Sequence, residues 1–135
     1  MYLLDTNVVI SALNERCPAI SRRLDAELAS RTPVLISTIV LFEMRYGIAK
    51  SQSPAKSEAA LAQFLASRIA IIPFEASDAD HAGDIRGHLA RLGTPIGPYD
   101  VLLAGQARSR GLVLVTANRR EFDRVPGLMV ADWGA

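Results

Sequence analysis

At 135 residues the chain has the length of one domain, and 50% hydrophobic with 21% charged residues is ordinary globular usage; this excludes a disordered tail, a collagen-like repeat and a coiled-coil rod. Its single cysteine, Cys17, excludes an internal disulfide and a multi-cysteine zinc site, and no apolar run approaches the roughly 20 residues that span a bilayer. The net charge of +1 hides a gradient, because residues 86–135 carry seven basic residues, all arginine, against four acids; this permits a polyanionic ligand without demanding one.

The chain opens on a short apolar strand, Tyr2-Leu3-Leu4, that ends at Asp5. No basic leader precedes it, and with the lone thiol this predicts a cytoplasmic protein without a membrane anchor. Val8 to Leu13 has helical spacing, and Pro18 fits the first turn of a helix to Ser30 with Ile20, Leu24 and Leu28 on one face. Pro33–Ser37 is a second short strand, and Ser37 or Thr38 caps a helix that runs to about Lys50. Ser53-Pro54 starts another helix with Leu61, Phe64 and Leu65 inward, and Ile69–Phe74 is so apolar that it predicts a buried strand. Ser77-x-x-Asp80 has capping-box spacing for a helix to about Leu92. Gly93, Pro95, Gly97 and Pro98 then break the chain before a helix from Tyr99 to Ser109, which Gly111 stops. Leu112–Thr116 is the clearest buried strand, and a short helix near Arg120 and a strand at Leu128–Val130 complete the pattern. Strands alternating with helices, several of them apolar on both faces, predict an α/β fold. The expected architecture is a three-layer α/β/α sandwich around a four- to five-stranded parallel sheet, with residues 1–135 as a single domain.

Acids recur beyond the strand ends. Asp5 closes the first strand, Glu43 lies in the helix after the second, and Asp100 lies in the first turn after the Gly97-Pro98 break. Asn118 and Glu121 follow the Leu112–Thr116 strand. In an open parallel sheet such positions converge on one edge, where ligands bind. Glu43 is embedded in Thr38-Ile-Val-Leu-Phe-Glu-Met-Arg-Tyr-Gly47, company that favours a partner over open water. Clustered carboxylates repel one another unless a cation compensates them. An all-oxygen donor set suits Mg²⁺, or Mn²⁺, rather than zinc. Such a centre lowers the pKa of bound water and stabilises charge on a phosphodiester. Blander readings compete at each position: Asp5 as a helix cap, Asp100 as a partner of the helix dipole, Glu43 as an ion-pair partner of Arg45 or of a distant arginine.

Two other site types fit poorly. An aspartate-nucleophile phosphatase needs a second acid two residues after the first, where this chain has Asn7. It also needs a late lysine, and the only lysines are Lys50 and Lys56. A phosphoacceptor receiver domain likewise needs paired acids after the first strand and a late lysine.

Four segments in order resemble the motifs of the PIN-domain ribonucleases, and most of all those of VapC-type toxins from bacterial toxin–antitoxin pairs. They are Tyr2-Leu-Leu-Asp-Thr-Asn-Val-Val9, Ser37-Thr-Ile-Val-Leu-Phe-Glu-Met-Arg-Tyr-Gly47, Gly93-Thr-Pro-Ile-Gly-Pro-Tyr-Asp-Val-Leu-Leu-Ala-Gly105 and Leu114-Val-Thr-Ala-Asn-Arg-Arg-Glu-Phe-Asp-Arg-Val-Pro-Gly127, with Val130-Ala-Asp-Trp133 at the end. The resemblance covers essentially the whole chain. It implies that Asp5, Glu43 and Asp100 are metal-binding acids and that Thr6 and Thr116 orient them. It also implies Mg²⁺-dependent hydrolysis of RNA, with initiator tRNA cut in its anticodon loop as the expected target. Where the family often has a fourth aspartate this chain has Asn118, which adds no charge; Glu121, a helical turn later, is the candidate replacement. The departure keeps a second reading open, a catalytically weak PIN domain that acts by binding RNA or protein.

The resemblance further implies a cognate VapB-type antitoxin that crosses the acidic cleft, and a homodimer. Arg108, Arg119 and Arg120 are candidate phosphate contacts, against the plainer reading of surface ion pairs. Arg86 stands apart, on a helix expected to pack near the third motif. His81 and His88 lack a third ligand and read as packing or surface residues, and Trp133 as a packing anchor. Leu41, Phe42 and Tyr46 exceed what one core needs from one helix and mark a partner surface.

Overall fold

Five short strands pair edge to edge in a computed structural model that describes residues 1–135. In chain order the elements are β1 (Tyr2–Leu4), α1 (Thr6–Leu13), α2 (Pro18–Ala29), β2 (Val34–Ser37), α3 (Thr38–Ala49), α4 (Pro54–Leu65), β3 (Ile69–Ile72), α5 (Ala76–Arg91), α6 (Pro98–Arg110), β4 (Val113–Val115), α7 (Arg119–Phe122) and β5 (Met129–Ala131). The strand order is β3-β2-β1-β4-β5, and every pairing is parallel. The chain therefore winds outward from β1 in one direction, returns through α5 and α6, and winds outward from β4 in the other. Right-handed crossovers that reverse direction set their helices on opposite faces of the sheet. This gives the α/β sandwich expected, with α1–α4 on one face and the α5–α6 pair on the other.

Leu3, Leu4, Ile36, Leu114 and Val115 of the three central strands are fully buried. Val9, Val40 and Leu61 pack on one side, Ile85, Leu89 and Leu103 on the other. The Gly111 stop is as expected: it takes φ 65°, a left-handed conformation that costs glycine nothing.

Two local expectations are corrected. β3 is an edge strand and exposes Ala70 and Ile71, because only β2 pairs with it. Its apolar sequence suggested full burial, but sheet order decides exposure and is not written in any one strand. The start of α5 is also displaced. Glu75, not Ser77, is the N-cap residue, and its N–H donates to Asp78 Oδ2 at 2.8 Å.

Asp78 is fully buried and also accepts from Arg110 Nη2 at 2.8 Å and from the Ser109 hydroxyl. Burial works to raise its pKa, but the Arg110 guanidinium, the Ser109 hydroxyl and the Glu75 N–H outweigh it and hold the carboxyl below its ordinary value. This pair, with the approach of Gly105 to Ala82, locks α5 to α6. A β-carbon on Gly105 would lie 2.6 Å from the Ala82 nitrogen, so only glycine permits the crossing.

Candidate active site

The turn from leftward to rightward winding falls between β1 and β4, and a parallel sheet opens a crevice there at the carboxyl ends of its strands. β1 ends in Asp5 and β4 in Thr116. Asp5 Oδ1 accepts from the N–H of Val8 at 2.8 Å, so the capping role expected of it is real. That bond uses one oxygen. The Asp5 N–H donates to the Val115 carbonyl at 3.0 Å, which ties the two strand ends together, and the neighbouring Thr116 hydroxyl acts to lower the pKa of the carboxyl. Asp5 is nevertheless 5% exposed, and burial outweighs these bonds and raises its pKa, with the Glu43 charge adding to the rise.

α6 leads directly into β4, so its first turn lies at the same sheet edge and brings Asp100 there. α3 starts at the end of β2 and carries Glu43 in its second turn. Glu43 Oε1 accepts from Thr6 Oγ1 at 2.7 Å; the alternative partner, Arg45, is instead bonded to Glu58. Asp100 is half-buried, and its pKa is pushed up to about 6. Burial is the largest cause, followed by the charge of Glu121, a hydrogen bond to that carboxyl, and the charges of Asp5 and Glu43. Four carboxyl groups from four elements thus act on one another. None takes part in any of the molecule's salt bridges.

Asn118 and Glu121 divide the fourth position between them. The Asn118 side-chain amide donates to Glu121 Oε2 at 2.8 Å, and its backbone N–H donates to Thr116 Oγ1 at 3.0 Å. Glu121 reaches Asp100, while Asn118 is exposed and holds Glu121. A carboxylate one turn after Asn118 thus lies within electrostatic reach of Asp100.

The arginines separate. Arg108 is engaged elsewhere, contrary to expectation: it bonds Asp84 Oδ2 at 2.7 Å, His81 Nδ1 at 2.9 Å and the Pro126 carbonyl at 3.1 Å. It lies eight residues, about 12 Å along the helix, from Asp100. Arg119 is exposed and loosely paired with Asp123 at 3.4 Å, and Arg120 is exposed with no salt bridge. Trp133 is buried and meets Tyr2 edge-on with ring centroids 5.2 Å apart, a packing role.

Three features were not foreseen. Gly97 stands where a β-carbon would lie 2.7 Å from Asp100 Oδ2, so its lack of a side chain makes room for that carboxylate. A groove of about 450 Å³ runs between α1, α3 and α4, lined by Thr6, Ile10, Leu13, Glu43, Tyr46 and Leu61 among others. Phe42 and Tyr99, each one residue before a site acid, pack together with ring centroids 5.6 Å apart and remain half-exposed. The groove and the aromatic pair depend on tertiary placement, which single-sequence periodicity does not carry, whereas the Gly97–Asp100 contact is local to the start of α6.

The donor set fits a hard divalent cation. Every candidate ligand is an oxygen, and the charges are uncompensated by any basic side chain. No three acid, histidine or cysteine side chains converge on one point as they stand. It is the all-oxygen donor chemistry, and not a preformed cage, that suits Mg²⁺, an ion that keeps several waters and takes few carboxylates directly.

The profile of the family described as PIN domain matches residues 2–128. The chain is 42% identical over 132 residues to the tRNA(fMet)-specific endonuclease VapC of Shigella flexneri, covering 98% of this chain and 97% of that one. It is 37% identical over 132 residues to ribonuclease VapC2 of Haemophilus influenzae, with the same coverage. Its fold is similar to that in the crystal structure of VapBC2 from Rickettsia felis bound to a promoter DNA fragment. The TM-score there is 0.91 at 35% identity, over 98% of both chains. No helix is long and apolar enough to cross a membrane.

Proposed function

The chain belongs to the PIN domain family, and from that premise we propose that it is a metal-dependent endoribonuclease toxin that cuts initiator tRNA and is neutralised by a VapB-type antitoxin. The observation that carries the chemistry is that Asp5 and Asp100 are both held above their ordinary pKa, chiefly by burial and then by neighbouring carboxyl groups, with no basic partner. Such a cluster is costly in the bare protein and sensible around a cation. The initiator tRNA substrate rests on the names of relatives at 42% identity over nearly the whole chain, and RNA cleavage also on that of a relative at 37%.

Asp5 and Asp100 would hold Mg²⁺, or Mn²⁺, with Glu43 and Glu121 engaging it directly or through water. When bound, the ion supplies charge neutralisation at the scissile phosphate and a more acidic water. The chain's own residues do the rest. Thr6 fixes the Glu43 carboxylate, Thr116 fixes Asp5, and Asn118 fixes Glu121. These bonds hold the acids in place before substrate arrives, which lowers the cost of reorganising them. Glu43 faces the cleft with one oxygen uncommitted and is placed to take a proton from an attacking water. Arg119 and Arg120 offer their charges to the RNA backbone.

The groove between α1, α3 and α4 reaches Thr6 and Glu43. An antitoxin segment lying in it would place a cation against the acids and block RNA. The exposed Phe42 and Tyr46 belong to a homodimer or partner surface. A cytoplasmic location accords with a tRNA substrate and a free half-buried thiol at Cys17.

The test is cleavage of initiator tRNA by the chain freed of any partner, with Mg²⁺ and then with chelator. Discrete fragments that need the metal and disappear in Asp5→Ala are expected. Metal-independent fragments, or fragments that survive in Asp5→Ala, contradict the proposal. Binding of tRNA without any cleavage would favour the binding-only reading that Asn118 left open.

A further inference from the structure

A second cavity, of about 280 Å³, lies between α5 and the turn that leads into α6. Its lining is Arg86, Leu89, Pro95, Ile96, Pro98 and Val101, with Ala90 at the rim. Pro98 and Val101 lie on the first turn of α6, which also carries Asp100, so the cavity and Asp100 flank the same turn of helix. No acid lines it. Arg86 takes part in none of the molecule's salt bridges, whereas both arginines of α6 are committed, Arg108 to Asp84 and Arg110 to Asp78. Arg124, just beyond α7, reaches the rim and makes one long bond, to the Pro95 carbonyl at 3.4 Å.

Chemistry narrows the occupant. The carboxylate cluster repels a polyanion, so an RNA strand needs cations beside it to stay in place. Two exposed guanidiniums flanking an apolar slot next to the cluster meet that need. The slot, with flat proline faces and aliphatic walls, is the size of one nucleotide unit rather than a strand, just below the range of small-molecule sites. A base enters such a slot only when it is unstacked, as in a loop. An antitoxin segment that neutralises the acids carries cations, which Arg86 and Arg124 would repel.

Resting on the ribonuclease reading above, we propose that this cavity is a nucleotide subsite for single-stranded RNA, in which Arg86 and Arg124 hold a phosphate next to the scissile one and the Pro95–Pro98 wall receives the neighbouring base. Both arginines are positioning residues. They set where the strand lies across Asp100 and take no part in bond breaking.

The experiment measures binding of a labelled anticodon stem–loop RNA in an Asp5→Asn background, where cleavage is disabled, over a range of salt. Arg86→Ala and Arg124→Ala are each expected to weaken binding roughly 5- to 20-fold and to reduce the salt slope by about 0.7. Arg86→Lys keeps most of the affinity, since a phosphate contact needs the charge. Ala90→Phe fills the cavity from its exposed rim; it is expected to weaken binding with the salt slope unchanged. With Asp5 intact, the arginine variants raise KM more than they lower kcat. Variants that bind within about twofold of their parent overturn the subsite, and if the parent still cuts tRNA the ribonuclease reading survives. Equal losses on fully paired RNA overturn it too, because surface charge alone then explains them. Loss of antitoxin binding with RNA binding intact would make the cavity a protein-docking site and overturn the proposal. A parent that neither binds nor cuts RNA overturns both.

Discussion

Gly97 shows how much a single missing side chain does at this site. Its φ of −55° suits any residue, so its reason is space: a β-carbon would meet Asp100 Oδ2 at 2.7 Å. Gly97→Ala is therefore expected to fold normally, since the group it displaces is the free end of a side chain. It moves the Asp100 carboxylate, and a misplacement of that order costs roughly 10- to 100-fold in rate. Circular dichroism and a cleavage assay on the same sample check both halves. Asp100 itself titrates in the opposite sense from a paired acid. Its pKa in the folded chain is raised from 3.8 to about 6, chiefly by burial and then by Glu121. The folded state thus holds the proton more tightly, so this contribution to metal-free stability is fully present below pH 3.8 and lost as pH rises through about 6. Asp100→Asn removes that loss. Discounted for a half-exposed group, it is expected to stabilise the metal-free chain at pH 7–8 by about 1–2 kcal/mol. Denaturant melts of both proteins across pH should show the difference vanish near pH 4.

At the scale of elements, the α5–α6 pair is the most tightly specified joint. Gly105 touches Ala82 backbone, and Asp78 is buried against Arg110 and Ser109. Gly105→Val is expected to force the helices apart and cost about 1–3 kcal/mol or more. Asp78→Ala leaves Arg110 without its buried partner and is expected to cost about 3–5 kcal/mol. Chemical denaturation reads both. Asp78 is held below its ordinary pKa, so its contribution is present above that value and fades as pH falls. None of this joint was legible in the sequence. Ser77-x-x-Asp80 matched a capping pattern as well as Glu75 and Asp78 do, because spacing does not reveal which acid is buried. Arg108 likewise looked like a phosphate contact until its position near the far end of α6 set it beside Asp84 and His81. By contrast, the elements that carry the site were readable. A strand ending in Asp5 and a Gly97-Pro98 break before Asp100 are local signals of chain direction, and chain direction fixes which sheet edge those acids occupy.

The whole molecule turns that edge into a site by one topological fact, the reversal of winding between β1 and β4. Asp5 and Thr116 become neighbours there although 110 residues lie between them. Alternating strands and helices predicted a parallel sheet, but not its order, and so left the edge strand β3 read as buried and the groove beside Glu43 unseen. The same reversal concentrates four carboxyl groups at a cost that the bare protein carries as raised pKa values. The central claim is that a divalent cation repays this cost. Thermal melts of the metal-free chain and of Asp100→Asn at pH 7.5, each with and without Mg²⁺, test it directly. Without metal, Asp100→Asn should melt higher. With Mg²⁺ the unaltered chain should rise by several degrees and overtake it, since binding to the folded state alone stabilises by mass action. An equal Mg²⁺ response in both proteins, or none in either, would contradict the account.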